Sequence, residues 1–305
     1  MVDVVIPFFN AAGTLDATIQ SALAQTGVEL DIVLVDDGSS DGSLAIAKGF
    51  CPAVRVFTGP NRGVSAARNR GMAETKSEWI IFLDADDLLV PGTISKRLEA
   101  AETSNADVVI CDWQEFSGAS PAGAGAVRSV DMAALAADAE TACATHLWAT
   151  TAALMYRRSL VEKIAGFRHD LPVIQDARLL FDAAFHGARF VRSPHVGAQY
   201  RVVPDSLSRR DPGRFWRDVL TNAKQIEMLW RSRAPLTPKQ QTTLAGLYDV
   251  AARGLFVSEQ SEYFEAVECE RRQDGRLPLH PRFAVPLART LGLRRAKQVL
   301  RLLGR

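Results

Sequence analysis

Cysteine is scarce in this chain. Four occur in 305 residues, at Cys51, Cys111, Cys143 and Cys269, and no two form a CxxC pair. That scatter argues against a disulfide framework or a cysteine-ligated zinc site, and it suits a reducing compartment. Long apolar runs are missing as well: none reaches the length of a bilayer-spanning helix. The first residues pass straight into a strand-like VDVVIPFF with no basic stretch or cleavage site before it, so no signal peptide is expected. Nor is there an overall charge excess, since 36 Lys and Arg stand against 35 Asp and Glu. The charge is uneven, however. Residues 276–305 hold eight basic residues and no acid, which leaves 28 basic and 35 acidic residues elsewhere, a formal −7. A mildly acidic body of this kind does not bind nucleic acid by its main surface. With 47% hydrophobic and 23% charged residues the composition is that of an ordinary globular protein. Its length suits one large domain with an appendage.

What is present is a regular alternation. Strand-like runs at Val2–Phe8, Leu30–Val35, Ala53–Phe57, Trp79–Leu83 and Asp107–Cys111 are separated by helix-like stretches at Gly13–Gln25, Ser43–Phe50, Val64–Glu74 and Thr93–Glu102. Strands alternating with helices predict an α/β fold, a mostly parallel sheet covered on both faces.

The richest stretch is WIIFLDADDLLVP, Trp79–Pro91. Its apolar run reads as a buried strand and leads into Asp84, Asp86 and Asp87; Leu88–Val90 with Pro91 suit the first turn of a helix. Acids at the C-terminal end of a strand lie where open α/β sheets bind ligands. Crowded carboxylates repel one another unless a cation joins them, and hard oxygen donors suit Mg²⁺ or Mn²⁺ carrying a phosphate substrate. The bland alternative is a polar loop with Asp87 capping a helix. A second acidic loop, Asp36-Asp37-Gly38-Ser39, also follows a strand, and it is good turn chemistry in its own right. Arg68, with the start of the Val64–Glu74 helix, offers a diphosphate site: a guanidinium and a helix N-terminus.

Taken in order, Val5-Ile6-Pro7-Phe8-Phe9-Asn10, Val35-Asp36-Asp37-Gly38-Ser39, Asn61-Arg62-Gly63 with Ala66-Ala67-Arg68-Asn69, and Asp84-Ala85-Asp86 closely resemble the N-terminal half of family 2 glycosyltransferases, inverting enzymes of the GT-A fold. The resemblance is strong over the first ~110 residues. It implies a nucleotide-binding set of Pro7, Phe9, Asn10, Asp37, Arg68, Asp84 and Ala85. In it Phe9 lies against the base, Asp37 accepts from the base (most naturally from N3–H of uracil), Arg68 faces the diphosphate and Asp84 reaches the ribose or donor sugar. Asp86 is then the metal ligand, for Mn²⁺ or Mg²⁺.

The second half is similar to the same family in a looser way. Trp148–Tyr156 followed by Arg157-Arg158-Ser159-Leu160 resembles its acceptor-side strand and helix. Gly166-Phe167 leads to Gln175-Asp176, where the family carries Glu-Asp, the Asp being the catalytic base. The acid is kept in Asp176, and its neighbour is a neutral Gln175 that can still hydrogen-bond an acceptor hydroxyl. Asp176 also reads simply as an acid favoured at a helix start. Tyr200-Arg201 and Ser206-Leu207-Ser208 resemble a segment that lies over the donor, making Arg201 and Ser206 candidates for acceptor or loop contacts. His195 is a weak candidate for the metal shell.

The expected division is 1–210, a GT-A catalytic domain, and 211–305, a helical region with helices over Arg214–Arg231, Pro238–Val257 and Glu259–Arg271. The tail, Phe283–Leu303, interleaves apolar residues with Arg and Lys, a pattern suited to lying in an anionic membrane interface. The function implied is metal-dependent, inverting transfer from a nucleoside-diphosphate sugar, UDP-linked, to a saccharide or lipid-linked hydroxyl in surface polysaccharide or glycoconjugate synthesis. The enzyme would be cytoplasmic, with peripheral contact at the inner face of the membrane. Two alternatives stand beside it. One is a non-catalytic sugar-nucleotide binder, suggested by Gln175. The other is a haloacid-dehalogenase-type phosphatase, whose nucleophile strand Ile80–Asp86 also resembles.

Overall fold

The computed structural model describes residues 1–118, 121, 125–145, 147–203, 206–257 and 261–274. The small-residue loop Gly118–Gly125 falls largely outside them, and the tail Phe283–Leu303 wholly so. The chain divides into two compact units, Met1–Pro204 and Asp205–Arg305, against a boundary expected at 210.

The first unit begins with β1 (Val2–Phe8), α1 (Leu15–Leu23), β2 (Leu30–Asp36), α2 (Ser43–Gly49), β3 (Arg55–Thr58), α3 (Val64–Ala73) and β4 (Trp79–Phe82). It continues with β5 (Leu88–Leu89), α4 (Thr93–Ser104), β6 (Val108–Phe116), β7 (Val127–Arg128), α5 (Met132–Ala137) and α6 (Ala139–Thr145). After a 3₁₀ turn at Thr151–Ala153 come β8 (Leu154–Arg157), α7 (Arg158–Lys163), α8 (Gln175–Phe185) and β9 (Phe190–Arg201).

The strands form one sheet in the order β3-β2-β1-β4-β8-β6-β9-β5, with β7 on β6. From β3 to β4 the pairing is parallel; β8 is antiparallel to both β4 and β6, while β6 and β9 run parallel. Every residue of β1 is buried, as a strand covered on both faces requires. The phasing brings the ends of β1, β2 and β4 to one edge, with Phe8 opposite Asp36 and Val5 opposite Phe82. Because β8 runs the other way, the segment leading into it, Leu147–Thr150, comes to that same edge. The end of β9 does too.

Two contacts fasten helices to the sheet. At Gly71 a Cβ would meet Val5 Cγ1 at 2.3 Å, so only glycine lets the helix approach so closely. At the opposite edge, buried Asp3 accepts from Ser77 and from Arg158 Nη2 at 2.6 Å, tying the start of β1 to α7.

Leu88–Val90 is not the first turn of a helix. Leu88 and Leu89 pair with Gln199 and Ala198 as a short edge strand, and α4 starts only after Gly92, which sits at φ 72°. The Ala-rich stretch Asp131–Ala144 forms two helices rather than one, divided at Asp138, whose side chain accepts from Thr141 N and Oγ1.

The second unit holds α9 (Leu207–Arg210), α10 (Pro212–Arg233), α11 (Pro238–Val257) and α12 (Ser261–Asp274). Its core includes Leu220, Ile226, Trp230, Tyr248 and Leu255.

Candidate active site

The loop after β4 is held from below and from the side. Asp87 N donates to Asp84 O, closing a turn. Buried Thr18 of α1 donates to the carbonyls of Ala85 (3.0 Å) and Asp87 (2.9 Å). Asp87 itself is buried and fully employed: it accepts from Thr150 Oγ1 at 2.6 Å and from Arg201 N at 2.9 Å. Burial first, then the neighbouring Asp86 and Asp84, push its carboxyl well above the ordinary range. Asp87 is therefore the loop's anchor. Asp86 differs, for its carboxylate is held by its own backbone amide. Its carboxyl is pushed up to about 6 by burial and by the charge of Asp84, with Arg201 pulling it down.

Arg201 is buried and donates from Nε to the carbonyl of Asp86 (2.8 Å) and from Nη1 to Gly118 O, with its guanidinium 4.5 Å from the Phe116 ring. It braces the acid loop. Ser206 N-caps α9 in the second unit.

On the other flank, Asn10 sits at φ 50° and joins two strand ends. Its N donates to Ser39 Oγ (3.0 Å) and its Oδ1 accepts from Ser40 N (2.8 Å). Pro7 lies opposite Val35 in β1, and Phe9 just beyond is 46% exposed. Asp37 is buried, and its two oxygens accept from Arg62 N (2.7 Å) and Gly63 N (2.8 Å). Asp37 thus ties the end of β2 to the turn ahead of α3.

Arg68, 2% exposed, pairs with Asp84 through Nη2 and lies over the Phe167 ring at 4.8 Å. Its Nε and Nη1 are buried with no hydrogen-bond partner. Phe167 is held by Asn69, which accepts from its N and donates to its carbonyl, both at 2.8 Å. Gly166 beside it is at φ 68°, where a Cβ would also meet Asn69 Oδ1 at 2.5 Å. Sequence reasoning noticed Asn69 and Gly166-Phe167 without seeing that they clamp each other; Thr18 and Thr150 carried no signal.

Asp176 lies half-buried in the first turn of α8, and its Oδ1 accepts from Ala177 N. Burial raises its carboxyl above the ordinary range, Arg68 pulls it back, and Asp84 adds to the rise. Arg68, Asp84 and Asp176 therefore share one electrostatic environment. Gln175 is 5% exposed with its Oε1 buried and unpartnered. His195 has no place in a metal shell here: Nε2 bonds Thr93 Oγ1 at 2.9 Å and Nδ1 bonds Ser193 Oγ at 3.1 Å.

Among the described residues no three His, Cys, Asp or Glu groups converge on a cation position. A cation bound by one or two carboxylates plus substrate phosphates does not require such a cluster. The donor set, Asp86 with Asp84, is of hard oxygens, and beyond burial the Asp86 carboxyl is raised by the Asp84 charge, a repulsion that a cation between them would relieve.

The model of "Glycosyl transferase family 2" matches residues 3–164, more than half of the chain. The chain belongs to glycosyl transferase family 2. The family match sets aside the dehalogenase-type reading. The succinoglycan biosynthesis protein ExoO of Rhizobium meliloti is 30% identical over 214 residues, 67% of this chain and 62% of that protein. Among solved structures, Staphylococcus aureus TarS 1–349 in complex with UDP-GlcNAc is 16% identical with a TM-score of 0.66, over 89% of this chain and 81% of that one. A mannosyltransferase of Pyrobaculum calidifontis in complex with GDP-Man and Mn²⁺ is 20% identical with a TM-score of 0.58, over 95% of this chain and 80% of that one. The fold is the GT-A fold. The chain spans less than two thirds of the length of the curated relatives it matches.

Proposed function

We propose that this family 2 member is a metal-dependent, inverting glycosyltransferase that moves a sugar from a nucleoside-diphosphate sugar to an acceptor hydroxyl. The observation that carries the reading is the convergence of Arg68, Asp84 and Asp176 beside the Asp86 loop. The donor base lies against exposed Phe9 with Asp37 at its polar edge. Each Asp37 oxygen accepts one main-chain amide and keeps a lone pair, and the uracil reading takes N3–H as its donor. Arg68, with two unpartnered guanidinium nitrogens in a buried site, turns toward the diphosphate. Asp86, with Asp84, would hold Mn²⁺ or Mg²⁺, which when bound offsets the charge gathering on the leaving diphosphate.

Asp176 takes the proton of the acceptor hydroxyl as its oxygen attacks the anomeric carbon opposite the diphosphate. The C–O bond to the diphosphate breaks in the same displacement, so the centre inverts. A base whose pKa is raised by burial is better matched to this task near neutral pH. Gln175 accepts a hydrogen bond from a second acceptor hydroxyl through its buried Oε1.

The acceptor is a saccharide or lipid-linked saccharide, in keeping with the polysaccharide role in ExoO's name. The enzyme works in the cytoplasm, and its basic tail docks on the inner face of the membrane. The rival is a non-catalytic binder, favoured by Gln175 where the family carries Glu. Incubation with UDP-sugars, Mn²⁺ and a saccharide panel separates them: UDP released with a glycosylated product supports transfer, whereas UDP-sugar bound and left intact supports the binder.

A further inference from the structure

Among the described residues of Met1–Pro204, two aromatic side chains are exposed, Phe9 at 46% and Trp148 at 43%. Phe9 has a role in the reading above and Trp148 has none. A large apolar ring left in water costs stability that a buried position would recover. Trp148 is nevertheless held in place. Its ring meets Trp113 edge-on at 5.6 Å and Tyr200 edge-on at 5.2 Å. Trp113 is buried, and its Nε1 has no hydrogen-bond partner.

The trio is anchored to the acid loop. Thr150, two residues after Trp148, donates to Asp87, and Arg201, next to Tyr200, donates its N to the same carboxylate. The reversed direction of β8 brings Trp148 to the edge where β1, β2 and β4 end, on the far side of the acid loop from β3 and β2. The edge thus carries one exposed aromatic ring beside Asp37 and another beside Asp87.

We propose that Trp148, backed by Trp113 and Tyr200, is the platform on which a pyranose ring of the acceptor stacks. This deepens the glycosyltransferase reading and rests on it. A sugar presents a face of C–H groups to an aromatic ring and a rim of hydroxyls to polar groups. That match suits a rigid ring with one open face. The acceptor is then a saccharide end, whatever aglycone follows, and Trp148 sets its orientation toward Asp176 without touching the reacting atoms.

The test uses the full chain with UDP and Mg²⁺. Saturation-transfer NMR with methyl β-D-glucopyranoside, methyl β-D-galactopyranoside and lactose reads sugar binding, and calorimetry on the same samples reads UDP binding. Expected are sugar signals strongest at the ring C–H protons, about tenfold weaker binding in Trp148→Ala, and substantial recovery in Trp148→Phe, with UDP affinity unchanged in both. Equal sugar binding by wild type and Trp148→Ala overturns the platform, as does the lack of any sugar signal from wild type that binds UDP. Loss of UDP binding in wild type with Trp148-dependent sugar binding kept would instead overturn the donor reading alone.

Discussion

Asp37, in the loop after β2, and Asp176, in the first turn of α8, are given different work by their surroundings. Asp37 holds two main-chain amides of the turn ahead of α3, whereas Asp176, held by Ala177 N, feels the Arg68–Asp84 pair. Asp176→Asn should leave UDP affinity within about twofold and lower turnover by roughly a hundredfold or more; separate measurement of donor affinity and single-turnover rate checks it. The base must be ionised to work, and its carboxyl lies above the ordinary value of 3.8. Activity of the wild type should therefore fall as pH drops through that raised value. Asp37→Ala should weaken UDP binding by about 1–3 kcal/mol and speed amide exchange at Arg62 and Gly63. Equal wild-type affinity for UDP and GDP would contradict a uracil-reading Asp37. The motif made both acids visible in the sequence. It did not show that Asp37 already holds the 61–63 turn, because that bond depends on how two loops meet. The same holds for Asp87, whose neighbours Thr150 and Arg201 are far away in sequence.

At the scale of elements, period and punctuation made the β1–α4 alternation legible, because buried parallel strands are plain apolar runs. The misses have physical reasons. Leu88–Val90 after an acid imitates a capped helix start, but the edge of β9 needs a partner strand and Gly92 turns the chain first. Asp138 interrupts an Ala-rich helix because its side chain caps the next one, competing with the backbone ladder. The antiparallel insertion of β8 between β4 and β6 is a topological fact that no local pattern carries, and it is what brings Trp148 to the ligand edge. The α3–sheet contact gives a direct prediction. Gly71→Ala gains helix propensity of about 1 kcal/mol but drives a methyl into Val5, an overpacking that costs about 1–3 kcal/mol. A net loss of stability in chemical denaturation is expected, with weakened UDP binding as Arg68 shifts. Unchanged stability would mean that α3 moves off β1 freely.

For the whole molecule, each unit has its own polar fastening. In the second, Glu227 of α10 accepts from Tyr248 of α11 (2.5 Å), Gln273 of α12 (2.9 Å) and Arg231 (2.8 Å). Burial opposes its charge, but these hydrogen bonds outweigh it and hold its carboxyl below the ordinary range. A depressed carboxyl stabilises the fold fully above its unfolded value, and the benefit is lost as pH falls through the folded one. Glu227→Gln should thus loosen α10–α12 by about 1–3 kcal/mol at neutral pH and by progressively less in acid; hydrogen exchange of those helices at pH 7 and pH 4 checks it. In the first unit the acid loop carries the claim on which the rest depends, that Asp86 holds a cation against the donor's diphosphate. The measurement that tests it most directly is calorimetric titration of UDP into wild type and Asp86→Ala, each with Mn²⁺ and with chelator. Removing the metal or its ligand breaks one shared interaction, so the two losses should not add. Chelation should weaken wild-type binding by about tenfold or more, some 1.4 kcal/mol, and change the variant little. Tight wild-type binding that ignores the chelator, or an equal chelator effect on both proteins, would contradict it.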